Sequence, residues 1–337
     1  MDVLISKPKI QVRPFHPSDK DTWEAFVRNA NNGTMFHRQQ FLAYHAPGKY
    51  DFYHLMFYHR NRLISVLPGG ILDGAFWSPV GASYGSFVLP DIRFERTLQL
   101  VDSFLEHLAS EGIDRAYLIP PPFIYQKTYS QNLEYALLYR RFGFEYHYIS
   151  HAIDLRRLGS ELLSAFDPTA RKTIRKILRE KKLEIRESTD YDAFYPILLE
   201  NKARHNAKPT HTLDELKRLQ ELVPEHLRLL LVYYRNQPIA GSLLFLCNDR
   251  VVLCFYNMLR YEYERLRPIY LLMYEIVRWA KQRGYAWVDI GVSQVPQDPD
   301  PMTPSLSLIA FKERFAAHGI IRSTYFYDRQ AGPQIIR

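Results

Sequence analysis

The chain has 337 residues, 47% of them hydrophobic and 14% aromatic, and a formal charge of +8 at pH 7. That length can bury a sizeable core and favours two domains. No run approaches the roughly 18 apolar residues of a membrane helix, and Met1 to Ile10 carries lysines and a proline where a signal peptide has its apolar centre, so a cytoplasmic protein is expected. The basic balance implies affinity for anions in general, among them nucleic acid, nucleotides, acidic headgroups and phosphorylated precursors, without choosing among them.

From the N-terminus, residues 10–14 alternate as a short strand, and His16, Pro17, Ser18 and Asp19 form a turn that can cap a helix over 22–29. Residues 36–45 read as helical. Two runs, 52–59 and 62–67, flank Arg60 and Asn61 as a hairpin, and 69–90 reads as a loop-rich stretch too long for a simple connection. Within it Gly81, Ala82, Ser83, Tyr84 and Gly85 fit the letters of a hydrolase nucleophile elbow. Pro79 interrupts the strand that must lead into the serine, and 87–90 is extended where a helix must leave. The glycines are expected instead to let a ligand or another backbone approach closely, with Tyr84 as a substrate contact. An amphipathic helix over 94–110, a strand at 116–119, an extended exit through Pro120 to Pro122, a helix at 133–140 and a strand at 145–154 follow.

The second half opens on the most basic run, a helix over 170–182 with Asp167 as its cap and Pro168 in its first turn. Ala170, Ile174, Ile177 and Leu178 form its narrow apolar stripe. The outer face is either an ordinary solvated one or a phosphate clamp, for tRNA or a nucleotide-linked substrate, carried by Arg171, Lys172, Arg175 and Arg179. No interleaved aromatics offer base stacking there. In the next helix Phe194, Ile197 and Leu198 set a buried face on which Asn201 and His205 continue. A buried Asn or His without partners costs on the order of 1–3 kcal/mol, so both are expected to be paired in the core or to line a substrate pocket with Arg204 and Lys208. His205 and His211 lack a third ligand at metal spacing, and no metal is expected.

Residues 227–234 and 239–247 form a hairpin, and a third strand, 251–257, leads through Pro268 into a helix reaching Gly284. Ile269, Leu272, Met273, Ile276 and Ala280 share one side of that helix. A strand at 287–291, a helix at 305–318 and a strand at 320–327 complete the order. Cys247 and Cys254 would not lie opposite each other in the hairpin and read as core residues, not as a disulfide. The similar element order of the two halves predicts an α/β (α+β) architecture of two tandem domains, 1–155 and 156–337, each a mixed, mostly antiparallel sheet flanked by helices.

The opening stretch, with Arg13, Pro14, Phe15, Asp19 and Trp23, resembles the first strand and helix of the GNAT acyltransferase fold. The basic segment from Arg171 to Lys176, the strand end Val288, Asp289, Ile290, Gly291, and the pair Phe311, Lys312 followed by Phe315 are similar to the Fem family of peptidyltransferases. Together these cover nearly all of the chain. The resemblance implies tandem GNAT-like domains and transfer of an acyl or aminoacyl group to an amine, on a cell-envelope precursor such as peptidoglycan or on a polysaccharide precursor. The long helical arm that some Fem proteins insert has no room here.

GNAT enzymes hold the coenzyme A pyrophosphate on backbone N–H groups of a turn that reads Arg or Gln, two residues, Gly, one residue, then Gly or Ala. Here the stretch is Arg265, Leu266, Arg267, Pro268, Ile269, Tyr270. Both small residues are gone, Pro268 has no N–H to donate, and Tyr270 crowds the approach. The donor is therefore either an aminoacyl-tRNA, as in Fem proteins, or an acyl-CoA bound by an altered loop. Aminolysis needs a neutral amine, a proton acceptor and a positive group near the oxyanion. The resemblance makes Lys312, beside Phe311, the charge stabiliser. Asp289 is expected to orient the amine or take its proton, with His205, Tyr256 and Asn257 as further candidates for the wall. Lys312→Ala is expected to lower turnover with little loss of folding. A reading of another class is a non-enzymatic module that binds RNA or anions through 171–182 on a degenerate transferase fold.

Overall fold

The computed structural model describes residues 9–204 and 206–331, so the candidate His205 lies outside the described residues. The described chain forms two compact units: one ends at His147 and is rejoined from Arg322 onward, the other is Tyr148–Ile321. A simple cut near residue 155 does not describe this division, because the last strand of the chain pairs within the first unit.

The first unit runs β1 (Gln11–Pro14), α1 (Lys20–Asn29), α2 (Gln39–Leu42), β2 (Asp51–Phe52), β3 (Leu55–His59), β4 (Arg62–Leu67), β5 (Gly70–Leu72), β6 (Ala75–Ser78), α3 (Phe94–Ser110), β7 (Arg115–Leu118), α4 (Asn132–Tyr139) and the start of β8 (Gly143–Asp154). β1, β3 and β4 make a small antiparallel sheet. β2, β5, β6 and β7 make a second, in which only β6 and β7 run parallel. Leu100, Val101, Phe104 and Leu108 recur at helical spacing on α3 and pack on Phe57, Phe76, Phe87 and Leu118, which removes them all from water.

Two expectations are corrected here. The stretch 69–90 is not a loop throughout: β5 and β6 form a tight hairpin across Asp73 and Gly74, both in the left-handed region. Residues 36–45 make no continuous helix. His37 Nδ1 accepts from the Thr34 amide at 3.0 Å and winds that segment into one 3-10 turn, leaving only the single turn of α2.

The second unit continues β8 and adds α5 (Leu162–Ala165), α6 (Pro168–Glu180), β9 (Leu183–Ser188), α7 (Tyr191–Arg204), α8 (Leu213–Leu222), β10 (Leu227–Tyr234), β11 (Gln237–Leu246), β12 (Val251–Leu259), α9 (Pro268–Gln282), β13 (Trp287–Val292), α10 (Leu306–Glu313) and the start of β14 (His318–Asp328). Its sheet has the order β8-β13-β12-β11-β10-β9, antiparallel except between β12 and β13. The hairpin of β10 and β11, the third strand β12 and the helix α9 stand where the alternation and the helical period place them. Leu272, Met273, Ile276 and Ala280 are fully buried against the sheet.

The sequence pattern hides β9, whose Leu183 and Ile185 alternate with the exposed Glu184 and Arg186 at the sheet edge, and α8, started by a reciprocal bond between Thr212 and Glu215. The helix expected over 305–318 stops at Glu313, because Ala316 turns left-handed to start β14. Leu178, expected in the apolar stripe of α6, is 41% exposed. Gly241 on β11 lies under α7: a Cβ there would stand 2.8 Å from the Phe194 ring and 2.9 Å from Leu231. Gly241→Val is therefore expected to cost about 1–3 kcal/mol through overpacking, read as a lower Tm.

Candidate active site in the second unit

β12 and β13 are bonded in parallel only from Val251–Leu253 against Trp287–Asp289. Beyond that point β12 runs on to Leu259, and β13 bulges away while it stays paired on its other side with β8, at Ser150. The two strands part, and each leaves one edge outside the ladder. Phe255, skipped in the pairing of β12 with β11, adds a second irregularity on the same strand.

Charged groups gather at the parting. Asp289, the last residue of β13 paired with β12, is fully buried, and its Oδ1 accepts from the Ser150 hydroxyl at 2.9 Å and the Gly291 amide at 2.7 Å. Lys312, on the last turn of α10, is 4% exposed. Its ammonium donates to Gly291 O at 2.7 Å, Val292 O at 2.8 Å and Ser293 Oγ at 2.9 Å. Ser293 Oγ is also 2.9 Å from Nδ1 of the buried His151. Burial pushes the Lys312 pKa down to about 8, with Asp289 and then the Cys254 thiol holding it up. Burial also raises that thiol to about 11, and burial followed by the Lys312 charge lowers His151. Cys247 and Cys254 are buried and not joined to each other by a disulfide. Among the described residues no group of His, Cys, Asp and Glu could hold a metal ion.

The wall candidates separate by what they touch. Tyr256 is 2% exposed, and its hydroxyl accepts from the amides of Thr210 at 3.1 Å and His211 at 3.3 Å. The phenol thus anchors the segment after α7, and burial raises it to about 12. Asn257 Nδ2 donates to Met273 Sδ at 3.3 Å while Oδ1 is buried with no partner among the described residues. Asn201 is buried on the inner face of α7 with Phe194, Ile197 and Leu198. Arg204 is exposed and stacks on Tyr261 at 4.0 Å, and Lys208 is exposed. Phe311 lies edge-on between Tyr270 at 5.6 Å and Phe315 at 5.2 Å.

Tyr84 lies in the first unit, buried edge-on against Phe36 and Tyr125, with the Arg322 guanidinium over its ring. The loop around it is packed: a Cβ on Gly85 would stand 2.4 Å from the Pro79 nitrogen.

On α6, Asp167 caps the helix by accepting from the Ala170 amide, and Pro168 occupies the first turn. Arg171 is half-buried and donates to the carbonyls of Ser164 and Phe166. Lys172, Arg175 and Arg179 point into solvent. In the turn before α9, Arg267 is left-handed and accepts from the Tyr270 amide, while the Tyr270 phenol accepts from Arg314 at 2.6 Å. Pro268 supplies no N–H, that of Tyr270 is spent, and its ring fills the space toward Phe311 and Phe315.

Residues 165–297 match the family described as acetyltransferase (GNAT) domain. Among solved structures, the chain superposes on FemX with a TM-score of 0.70 at 14% identity, covering 94% of this chain and 98% of that one. The chain has a Fem-type, tandem GNAT-like fold.

Two further solved structures superpose on the chain. A tandem GNAT protein from the clavulanic acid biosynthesis pathway matches with a TM-score of 0.55 at 12% identity, over 97% of this chain and 100% of that one. L-PGS from Bacillus licheniformis matches with a TM-score of 0.59 at 12% identity, over 93% of each. No curated protein sequence matches the chain. No described helix is long and apolar enough to cross a membrane.

Within the GNAT-like second unit, Lys312, Asp289 and, through its neighbour Gly291, the end of β13 come together as one cluster. Ser150, His151 and Ser293 complete it without any signal in the sequence, since Ser150 and His151 lie 139 and 142 residues from their partners.

Proposed function

We propose that the chain transfers an acyl or aminoacyl group to an amine, with the chemistry at the parting of β12 and β13. The observation that carries this reading is the buried Lys312 ammonium, which shares Gly291 as a hydrogen-bond partner with the buried Asp289 carboxylate. A buried cation is retained at a cost to stability, and positive charge in a low-dielectric site has most effect where negative charge develops. The amine attacks the ester or thioester carbonyl, the oxyanion forms near Lys312, and the leaving oxygen or sulfur takes the proton the amine gives up. Lys312 meets that charge by exchanging one of its three hydrogen bonds for one to the oxyanion. Asp289, its oxygen engaged by Ser150 and Gly291, acts as a positioning residue that balances Lys312. The unpartnered Asn257 Oδ1 offers an acceptor for a substrate N–H.

The turn before α9 favours an aminoacyl-tRNA over an acyl-CoA as donor, because Pro268 and the Tyr270 ring occupy the place where a pyrophosphate would meet backbone N–H groups. The outward Lys172, Arg175 and Arg179 on α6 give an RNA backbone a basic face. The favoured acceptor is an amine of a cell-envelope precursor, in keeping with the similarity to FemX.

The working form of Lys312 is the cation, so pH tests the reading. With its pKa lowered to about 8, the rate per neutral acceptor amine is expected to hold through neutral pH and to fall as pH rises through about 8. Asp289, Cys254, His151, Glu313 and His318 face the same cluster and shape that limb. A rate per neutral acceptor amine that climbs through this range would show an unprotonated Lys312 at work and overturn the assignment.

A further inference from the structure

In the first unit a separate cleft of about 500 Å³ opens between the turn joining β3 to β4 and the first turns of α3. Its lining has a chemistry the transfer reaction does not use. Arg60, Arg93 and Arg96 all border it, against one carboxylate, Glu95. Arg96 is held in place: its Nη1 donates to His59 Nδ1 at 2.9 Å and to Gln99 Oε1 at 2.9 Å. Arg60 is presented by a tight turn in which it and Asn61 are both left-handed. Arg60 and Arg93 are exposed and make no side-chain hydrogen bond or ion pair among the described residues. A fixed guanidinium with two unneutralised ones around it matches the oxygens of a phosphoryl group, to which each can offer paired N–H donors.

We propose that this cleft binds the diphosphate group of a small soluble ligand. Three guanidinium groups against one carboxylate leave a net positive charge suited to a group with more than one negative charge. The volume lies in the range of small-ligand sites, about 300–1,000 Å³. Among the described residues of the lining, Ile92 offers the apolar surface and His59 the aromatic ring, so the guanidinium contacts to the phosphates carry most of the recognition. The site lies in the first unit and stands or falls separately from the chemistry of Lys312.

Calorimetry with inorganic pyrophosphate tests it on the full chain. The double variant R60Q/R93Q removes two groups that hold nothing else, so its ligand-free Tm is expected to match wild type. Its affinity for pyrophosphate is expected to be about tenfold weaker or worse, since hydrogen bonds to charged groups are worth about 1.5–3 kcal/mol. R175Q/R179Q on α6 is expected to bind pyrophosphate as wild type does. The proposal fails if wild type shows no pyrophosphate binding, if both double variants lose affinity equally, or if only polyuridylate binds at this cleft and pyrophosphate does not compete with it.

Discussion

Lys312→Met is expected to abolish transfer and to destabilise the second unit by about 1–3 kcal/mol, the usual cost of leaving buried hydrogen-bond acceptors unsatisfied. Methionine keeps the length and much of the volume of the stem and removes the charge. What remains are the Gly291 and Val292 carbonyls and the Ser293 hydroxyl, which accept from that ammonium. The sequence reading expected a lysine that could be removed with little loss of folding. Its burial inside three hydrogen bonds corrects that expectation and makes chemical denaturation, alongside the assay, the measurement that checks it. Lys312→Met that folds with wild-type stability would mean that the cluster bears no weight.

The double variant Lys312→Met with Asp289→Asn separates chemistry from folding. Asn keeps an Oδ1 to accept from Ser150 and the Gly291 amide while losing the charge. The two buried charges act on each other, so removing the second is expected to cost less once the first is gone. A coupling energy of about 0.5–3 kcal/mol is therefore expected, read from denaturant midpoints. Transfer is expected to stay absent. Recovered activity together with recovered stability would reduce Lys312 to a structural lysine.

Much of this architecture is written locally in the chain. β10, β11 and β12 announce themselves by apolar residues between turn formers, and α9 by its Leu272, Met273, Ile276 and Ala280 stripe after Pro268. β5 and β6 escape because glycine and aromatics mask strands of three and four residues, and β9 because it is an edge strand with charges at every other position. The site is legible in part. Phe311 and Lys312 stand out through their family resemblance, and Asp289 through its place at the end of a strand. That Lys312 points inward depends on α10 ending at Glu313, and the partnership of Ser150 and His151 with the far end of β13 depends on register between strands distant in sequence. Neither leaves a periodic trace. Tyr256 illustrates the limit from the other side: its strand position is readable, but that its hydroxyl is consumed by Thr210 and His211 is not.

The most direct test of the central claim is a transfer assay with label in the acyl group of the donor. Acetyl-CoA and a mixture of aminoacyl-tRNAs would be supplied in turn, with amine-bearing cell-envelope precursors as acceptors, to wild type and to the stable double variant at Lys312 and Asp289. The account predicts label on an amine from aminoacyl-tRNA with wild type alone. Equal transfer by the double variant, or no transfer from either donor by folded wild type, would contradict it.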